Sequence, residues 1–132
     1  MTTIATRLQQ VHARLDAACR AAQRDPASVT LLAVSKTCPA EAVAEAAAAG
    51  QTRFGENYVQ EALAKQPALA GLGIEWHLIG HLQSNKAKEA AAAFDWVQTV
   101  DRDKLVDALA KHRAPGPRPL NVARRSPGPV RS

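Results

Sequence analysis

The sequence predicts an α/β fold built on a parallel sheet. Two observations carry that prediction. Helix-period and strand-type segments alternate along residues 1–113, as an initial helix followed by four strand–helix units. In such an alternation each helix carries the chain back, so the next strand runs parallel to the last. In addition, the first strand-type run, Val29-Thr30-Leu31-Leu32-Ala33-Val34, is apolar on both faces, as suits a strand covered from two sides. Spacing alone fits either a doubly wound open sheet or part of a (β/α)8 barrel.

Each element has its own local reason. Ile4, Leu8, Val11, Leu15, Cys19 and Ala22 recur at helical spacing until Asp25-Pro26 stops the stripe. After the first strand, Pro39 and Glu41 open an alanine-rich helix that ends at Gly50, with proline at the first turn and glycine past the last. Thr52-Arg53-Phe54-Gly55 is a weak strand, and Asn57 with Gln60 three residues on suggests a capped helix start. Gly71 and Gly73 break the chain before a strand over Ile74–Ile79. Ser84 or Asn85 would cap a helix through Ala93, Trp96–Val100 reads as a fourth strand, and Asp101 would cap a helix bearing Leu105, Val106 and Leu109. Leu120-Asn121-Val122 has the composition to start a fifth strand.

A chain of 132 residues suits one domain. Apolar residues make up 46% but aromatics only 4%, so much of the core must come from alanine methyls, which yield little each. Cys19 and Cys38 are too few to staple a secreted fold, and no CxxC is present to hold zinc. No apolar run approaches the ~18 residues of a membrane span, and Met1–Arg7 lacks the basic-then-apolar pattern of a signal peptide. A cytoplasmic protein is therefore expected. Neither GxGxxG nor GxxxxGK[ST] occurs, so the common dinucleotide and triphosphate sites have no support.

Charge divides the chain. All 12 acidic residues lie at or before Asp107, whereas six of the 17 basic ones lie beyond it. Five of the eight prolines also lie between Pro115 and Pro129. Such a stretch cannot offset its ordering entropy, which predicts a folded unit over 1–113, a partial barrel on the resemblance described below, and a disordered Pro/Arg-rich tail over 114–132. The tail makes a basic interaction module an alternative reading, but no aromatic residue interleaves its arginines, which argues against nucleic acid as a partner.

Chemistry belongs at the C-terminal ends of the strands, and three polar clusters fall there. In Ser35-Lys36-Thr37, alternation puts Lys36 on the face of Val34 and Leu32. Apolar surroundings would lower a lysine's pKa and free its amine for Schiff-base chemistry; an ordinary solvated lysine is the plainer alternative. In Phe54-Gly55-Glu56-Asn57-Tyr58, Asn57 offers a donor and an acceptor, and Glu56 reads as a general base or, more simply, as a solvated carboxylate. In the third, running from His77 to Lys86, His77 and His81 share a face if the strand persists, but no third ligand is evident and no metal is expected. Lys86 and Lys88 sit in a first helical turn, where the macrodipole disfavours cations, so they suggest an attraction for anions.

The clusters also carry a resemblance. Leu32-Ala33-Val34-Ser35-Lys36-Thr37, Phe54-Gly55-Glu56-Asn57-Tyr58-Val59-Gln60-Glu61, Trp76–Lys86 and Val97-Gln98-Thr99-Val100-Asp101 closely resemble the pyridoxal phosphate homeostasis proteins. These are single-domain relatives of the alanine racemase N-terminal barrel. The resemblance spans residues 4–122 and implies a (β/α)8 TIM-type barrel of the fold-type III pyridoxal phosphate class. It implies pyridoxal 5'-phosphate as cofactor, with Lys36 as Schiff-base lysine and Asn57 and His81 facing the cofactor, His81 packing on its ring. It further implies holding and delivering the cofactor, with pyridoxal phosphate-dependent apoenzymes as recipients, and no turnover. A racemase-like enzyme fragment is the alternative within the same class.

Past Val122 the resemblance ends, and Ala123–Ser132 reads as unrelated sequence. The expectation is the first half of a barrel, C-terminally truncated by a frameshift or premature stop. Its sheet edges would be open to self-association, and its hold on the cofactor would be weakened.

Overall fold

The computed structural model describes residues 3–100, 102–113 and 120–124. Helix α1 (Ile4–Ala21) starts at Thr3, whose hydroxyl accepts the Thr6 amide hydrogen at 3.1 Å. Gln23, with φ of 59°, ends it, and Asp25 caps a short 3-10 turn at Pro26–Ser28. The rest alternates as expected: β1 (Ala33–Val34), α2 (Ala40–Ala48), β2 (Arg53–Glu56), α3 (Val59–Lys65), β3 (Glu75–Leu78), α4 (Ala87–Ala93), β4 (Trp96–Val100), α5 (Asp103–His112) and β5 (Asn121–Arg124). The five strands pair in parallel in the order β1-β2-β3-β4-β5. An order without reversal is the winding of a barrel segment, since a doubly wound sheet doubles back at a switch point. The structure thus resolves the choice that spacing left open.

Register explains which residues meet. Ala33, Phe54 and Trp76 lie in one row across the sheet, and Glu56, Leu78 and Val97 in another. Both rows face the helices. There Phe54, Leu78, Val97 and Val100 pack with Val43, Leu105 and Leu109. Ala62, Ala87, Ala90 and Ala91 are fully buried, so the alanine-rich helices lie close against the strands. On the other face run Val34, Gly55, His77, Trp96 and Asn121. This face is open at β1, where Val34 is 50% exposed.

Several expectations are corrected. The first strand was expected over Val29–Val34 and covered on both sides; only Ala33 and Val34 pair. Upstream, the buried Gln51 amide donates to the carbonyls of Leu31 at 2.9 Å and Arg53 at 2.8 Å. A side chain thus takes the acceptor that a longer ladder would use. No side chain caps α3 or α4, which start from Tyr58 and Lys86, so neither Asn57, Ser84 nor Asn85 caps a helix. Ser84–Lys86 forms a 3-10 turn instead. Arg102 stands at the start of α5; Asp101 lies outside the described residues. The fifth strand expected from Leu120-Asn121-Val122 is found as Asn121–Arg124, inside the span assigned to the tail; the Asn121 amide reaches the Asp95 carbonyl at 3.0 Å and Val122 pairs with Val97. Backbone pairing along β4 does not depend on the composition that predicted disorder. Residues 114–119 and 125–132 lie outside the described residues. No helix among the described residues is long and apolar enough to cross a membrane.

Candidate functional site

The C-terminal ends of β2 and β3 bound a cleft of about 660 Å³. Asn57 and Tyr58 line it from the loop after β2, Gly80 and His81 from the loop after β3, and Lys86 from the turn before α4. The two loops touch closely: an added Cβ on Gly80 would fall 2.1 Å from the Asn57 carbonyl oxygen. Only a residue without a side chain allows that approach. The Ile79 amide donates to the Glu56 carbonyl at 2.9 Å, and the Thr99 hydroxyl donates to the Gly80 carbonyl at 2.5 Å. Arg102 reaches the Leu82 carbonyl at 3.5 Å and the Ser84 hydroxyl at 3.4 Å. His81 is itself exposed and Asn57 half-buried, on a framework fixed from both sides.

Lys36 stands beside this cleft rather than in its lining. Ser35 closes the β1–β2 ladder, its amide donating to the Gly55 carbonyl at 2.9 Å. A turn follows, closed by the Cys38 amide on the Ser35 carbonyl at 3.1 Å. Alternation holds to this point, since Ser35 is buried while Val34 and Lys36 are exposed. The shared face is open, however, so Lys36 is exposed there. Thr37 next to it has φ of 62°. A threonine there stores about 1–3 kcal/mol of strain and persists only where its surroundings hold it. The Glu61 carboxylate, part of the cleft wall, accepts the Thr37 amide hydrogen. That bond ties the Lys36 turn to the cleft. The Thr37 amide first, and the Lys65 ammonium after it, hold the Glu61 carboxyl below its ordinary range.

Glu56 is the clearest correction. It was expected in solvent and is fully buried. As the last residue of β2 it faces the helices, where Lys65 of α3 meets it at 3.0 Å and 3.2 Å. The Ser35 hydroxyl donates to the same carboxylate. Lys65 also donates to the Ser35 carbonyl at 2.6 Å and to Glu61 at 3.3 Å. Lys65 escaped the sequence reading. The available signal was its placement four residues after Glu61 on a short helix, an ion-pair spacing.

The two histidines part company. β3 ends at Leu78, so His81 turns to the cleft while His77 stays on the open face. There Gln98 donates to His77 Nδ1 at 2.7 Å, leaving Nε2–H to donate to Glu75 at 2.9 Å. His77 stacks on Trp96 at 5.6 Å between ring centroids, and Arg53 pairs with Glu75 at 3.0 Å. These residues line a separate hollow of about 330 Å³ nearer the start of the strands. Among the described residues, no three His, Cys, Asp or Glu side chains stand together. Lys86 is half-buried in the cleft wall and Lys88 is exposed outside it.

The family described as alanine racemase, N-terminal domain, matches residues 7–123. The chain belongs to this family. Within this alanine racemase N-terminal family, the chain is 56% identical over 122 residues to the pyridoxal phosphate homeostasis protein of Pseudomonas aeruginosa, covering 92% of this chain and 53% of that one. Its Escherichia coli counterpart is 49% identical over 125 residues, with the same coverages of 92% and 53%. Among solved structures, PipY of Synechococcus elongatus with PLP bound superposes with a TM-score of 0.64 at 51% identity, covering 76% of this chain and 47% of that one. A protein from Bifidobacterium adolescentis, described only as unknown, reaches a TM-score of 0.75 at 33% identity, covering 82% of this chain and 48% of that one. The resemblance carried by the four motifs is thus found, with the half-barrel fold. The chain spans about half the length of the curated relatives it matches.

Proposed function

We propose that this chain binds pyridoxal 5'-phosphate and serves homeostasis of that cofactor, holding it through Lys36 without turnover. The observation that carries the reading is the cleft at the strand ends, lined by Asn57 and His81 and tied to the Lys36 turn through Glu61. The names of the Pseudomonas and Escherichia relatives, and the bound ligand of PipY, support the choice of cofactor. The donor set also fits. The cofactor, when bound, supplies an aldehyde that condenses with a primary amine and releases water. Lys36 is an exposed amine on a pinned turn. Asn57 offers a carboxamide to a polar ring substituent, and His81 offers a flat imidazole to a ring face. Lys86, in the same wall, supplies positive charge toward an anionic group.

Holding without reaction agrees with relatives named for homeostasis rather than for a conversion. The chain would act in the cytoplasm and release its cargo to pyridoxal phosphate-dependent apoenzymes. Among the described residues β1 and β5 are the outer strands of the sheet, and with the exposed Val34 they offer a surface for self-association.

The test is an absorbance titration of the purified chain with pyridoxal phosphate, then borohydride reduction and peptide mapping. An adduct band with label at Lys36, abolished in Lys36→Ala, is expected. Label scattered over many lysines, or no band, would refute the proposal.

A further inference from the structure

Lys36 lies between two residues that are both bonded into one partly buried charged network. On its N-terminal side, the Ser35 hydroxyl donates to Glu56, and the Ser35 carbonyl accepts from Lys65 Nζ at 2.6 Å. On its C-terminal side, the Thr37 amide donates to Glu61. Both carboxylates meet the same ammonium, Glu56 at 3.0 Å and Glu61 at 3.3 Å. The Lys65 side chain is 9% exposed and that of Glu56 fully buried. A buried ion pair of this kind is weak ground for stability, because well-packed apolar residues often replace one without loss. What apolar residues cannot do is hold the Ser35 carbonyl and hydroxyl in fixed directions.

We infer that Lys65, acting through Glu56 and Glu61, is the positioning group for Lys36. It fixes the main chain on both sides of Lys36 and so makes that lysine the selective acceptor of the aldehyde. The inference rests on the proposal that Lys36 takes the cofactor. Glu56 and Lys65 sit on the helix face of the sheet and Lys36 on the open face, so Lys65 acts without touching the ligand, while Glu61 carries its hold into the cleft wall.

The experiment uses the full chain, with pyridoxal phosphate as probe. The Glu56→Gln/Lys65→Met double variant removes both buried charges together, leaving neither ion orphaned. Glu61→Ala removes the Thr37 acceptor from a side chain that is 28% exposed. Thermal melts report the fold, borohydride trapping with peptide mapping reports the share of label at Lys36, and hydrogen exchange reports protection of the Thr37 amide. Both variants should melt cooperatively while trapping at Lys36 slows about tenfold, as a displaced reacting group does, and label spreads to other lysines. Should the double variant fail to fold, Glu61→Ala decides alone. A folded variant that labels Lys36 at the wild-type rate and share would overturn the inference. So would an unprotected Thr37 amide in the wild type. Absence of Lys36 label in a wild type with a protected Thr37 would instead overturn the proposed function.

Discussion

Gly80→Ala tests how tightly the two cleft loops are built. A Cβ at Gly80 would lie 2.1 Å from the Asn57 carbonyl oxygen, 2.8 Å from its carbon and 2.9 Å from its Cα. All three are backbone atoms of one residue, so no rotamer change relieves the contact. Asn57 has little room to retreat, because the preceding Glu56 accepts the Ile79 amide at 2.9 Å through its carbonyl and is locked to Lys65 through its side chain. The substitution must therefore spread the loops after β2 and β3 by nearly 1 Å. Forcing an extra carbon into a packed site costs about 1–3 kcal/mol, and rigid backbone places this case at the upper end. At roughly 4 °C or more per kcal/mol, the melting temperature should fall by about 8–12 °C. Gly55→Ala is the internal comparison. Its Cβ would meet the ends of two side chains, Ile79 Cδ1 at 3.1 Å and Leu32 Cδ2 at 3.4 Å. Those ends swing, so the cost there should stay below about 1 kcal/mol. Thermal melts of the two variants and the wild type make the assay, with a pyridoxal phosphate titration of each. A Gly80→Ala chain that melts with the wild type, or a Gly55→Ala chain that suffers more, would refute the reasoning.

Two further outcomes follow from polar groups. The carboxyls of Glu61 and Glu75 are both held below the ordinary 4.5, Glu61 chiefly by the Thr37 amide and Glu75 chiefly by its bond from His77 and then by Arg53. A carboxyl lowered in the folded state contributes stability that is present above its unfolded pKa and lost as pH falls through the folded value. Urea melts should thus weaken as pH falls below about 4.5, and Glu61→Gln and Glu75→Gln should each flatten that decline; an unchanged slope in both would count against these pairings. Gln51→Ala removes the donor to the Leu31 and Arg53 carbonyls, and should cost about 1–3 kcal/mol in urea melts. A neutral result would mean that water replaces the amide there.

Helix stripes and the alternation of elements were legible because each depends on local spacing. The α1 stripe and the Gly50 stop need nothing beyond their own neighbours. The length of β1 was not legible, because it depends on where a glutamine 20 residues downstream sends its amide. Glu56 misled for a related reason. An isolated acidic residue after a weak strand reads as solvated, and only the pairing of β2 with β3 turns it toward α3 and Lys65. Leu120-Asn121-Val122 read both as a strand start and as part of a disordered tail, and the strand prevails because its pairing is secured by the Asp95 carbonyl and the β4 edge. Composition speaks for side chains, and a strand at a sheet edge is held largely by main chain.

The motifs at the strand ends are legible for a structural reason that covers all three. In each, a residue that holds the framework comes just before a residue that faces the cleft or its rim. Ser35 is buried and Lys36 exposed; Glu56 is fully buried and Asn57 half-buried; Gly80 is pressed against the Asn57 backbone and His81 is exposed. At Ser35-Lys36 and Glu56-Asn57, where β1 and β2 run out, consecutive side chains still point to opposite sides; Gly80 has no side chain and supports His81 instead through its backbone contact with Asn57. A group aimed at the open side is therefore preceded by one aimed into the packed side. That neighbour is the natural place to fix its direction. The pairs Ser35-Lys36, Glu56-Asn57 and Gly80-His81 thus each combine a support with a reaching group. Substitutions at the first member should disturb ligand selectivity through geometry, and those at the second through lost contact. The distinction can be read by comparing Lys36 labelling with melting temperature in the same variants.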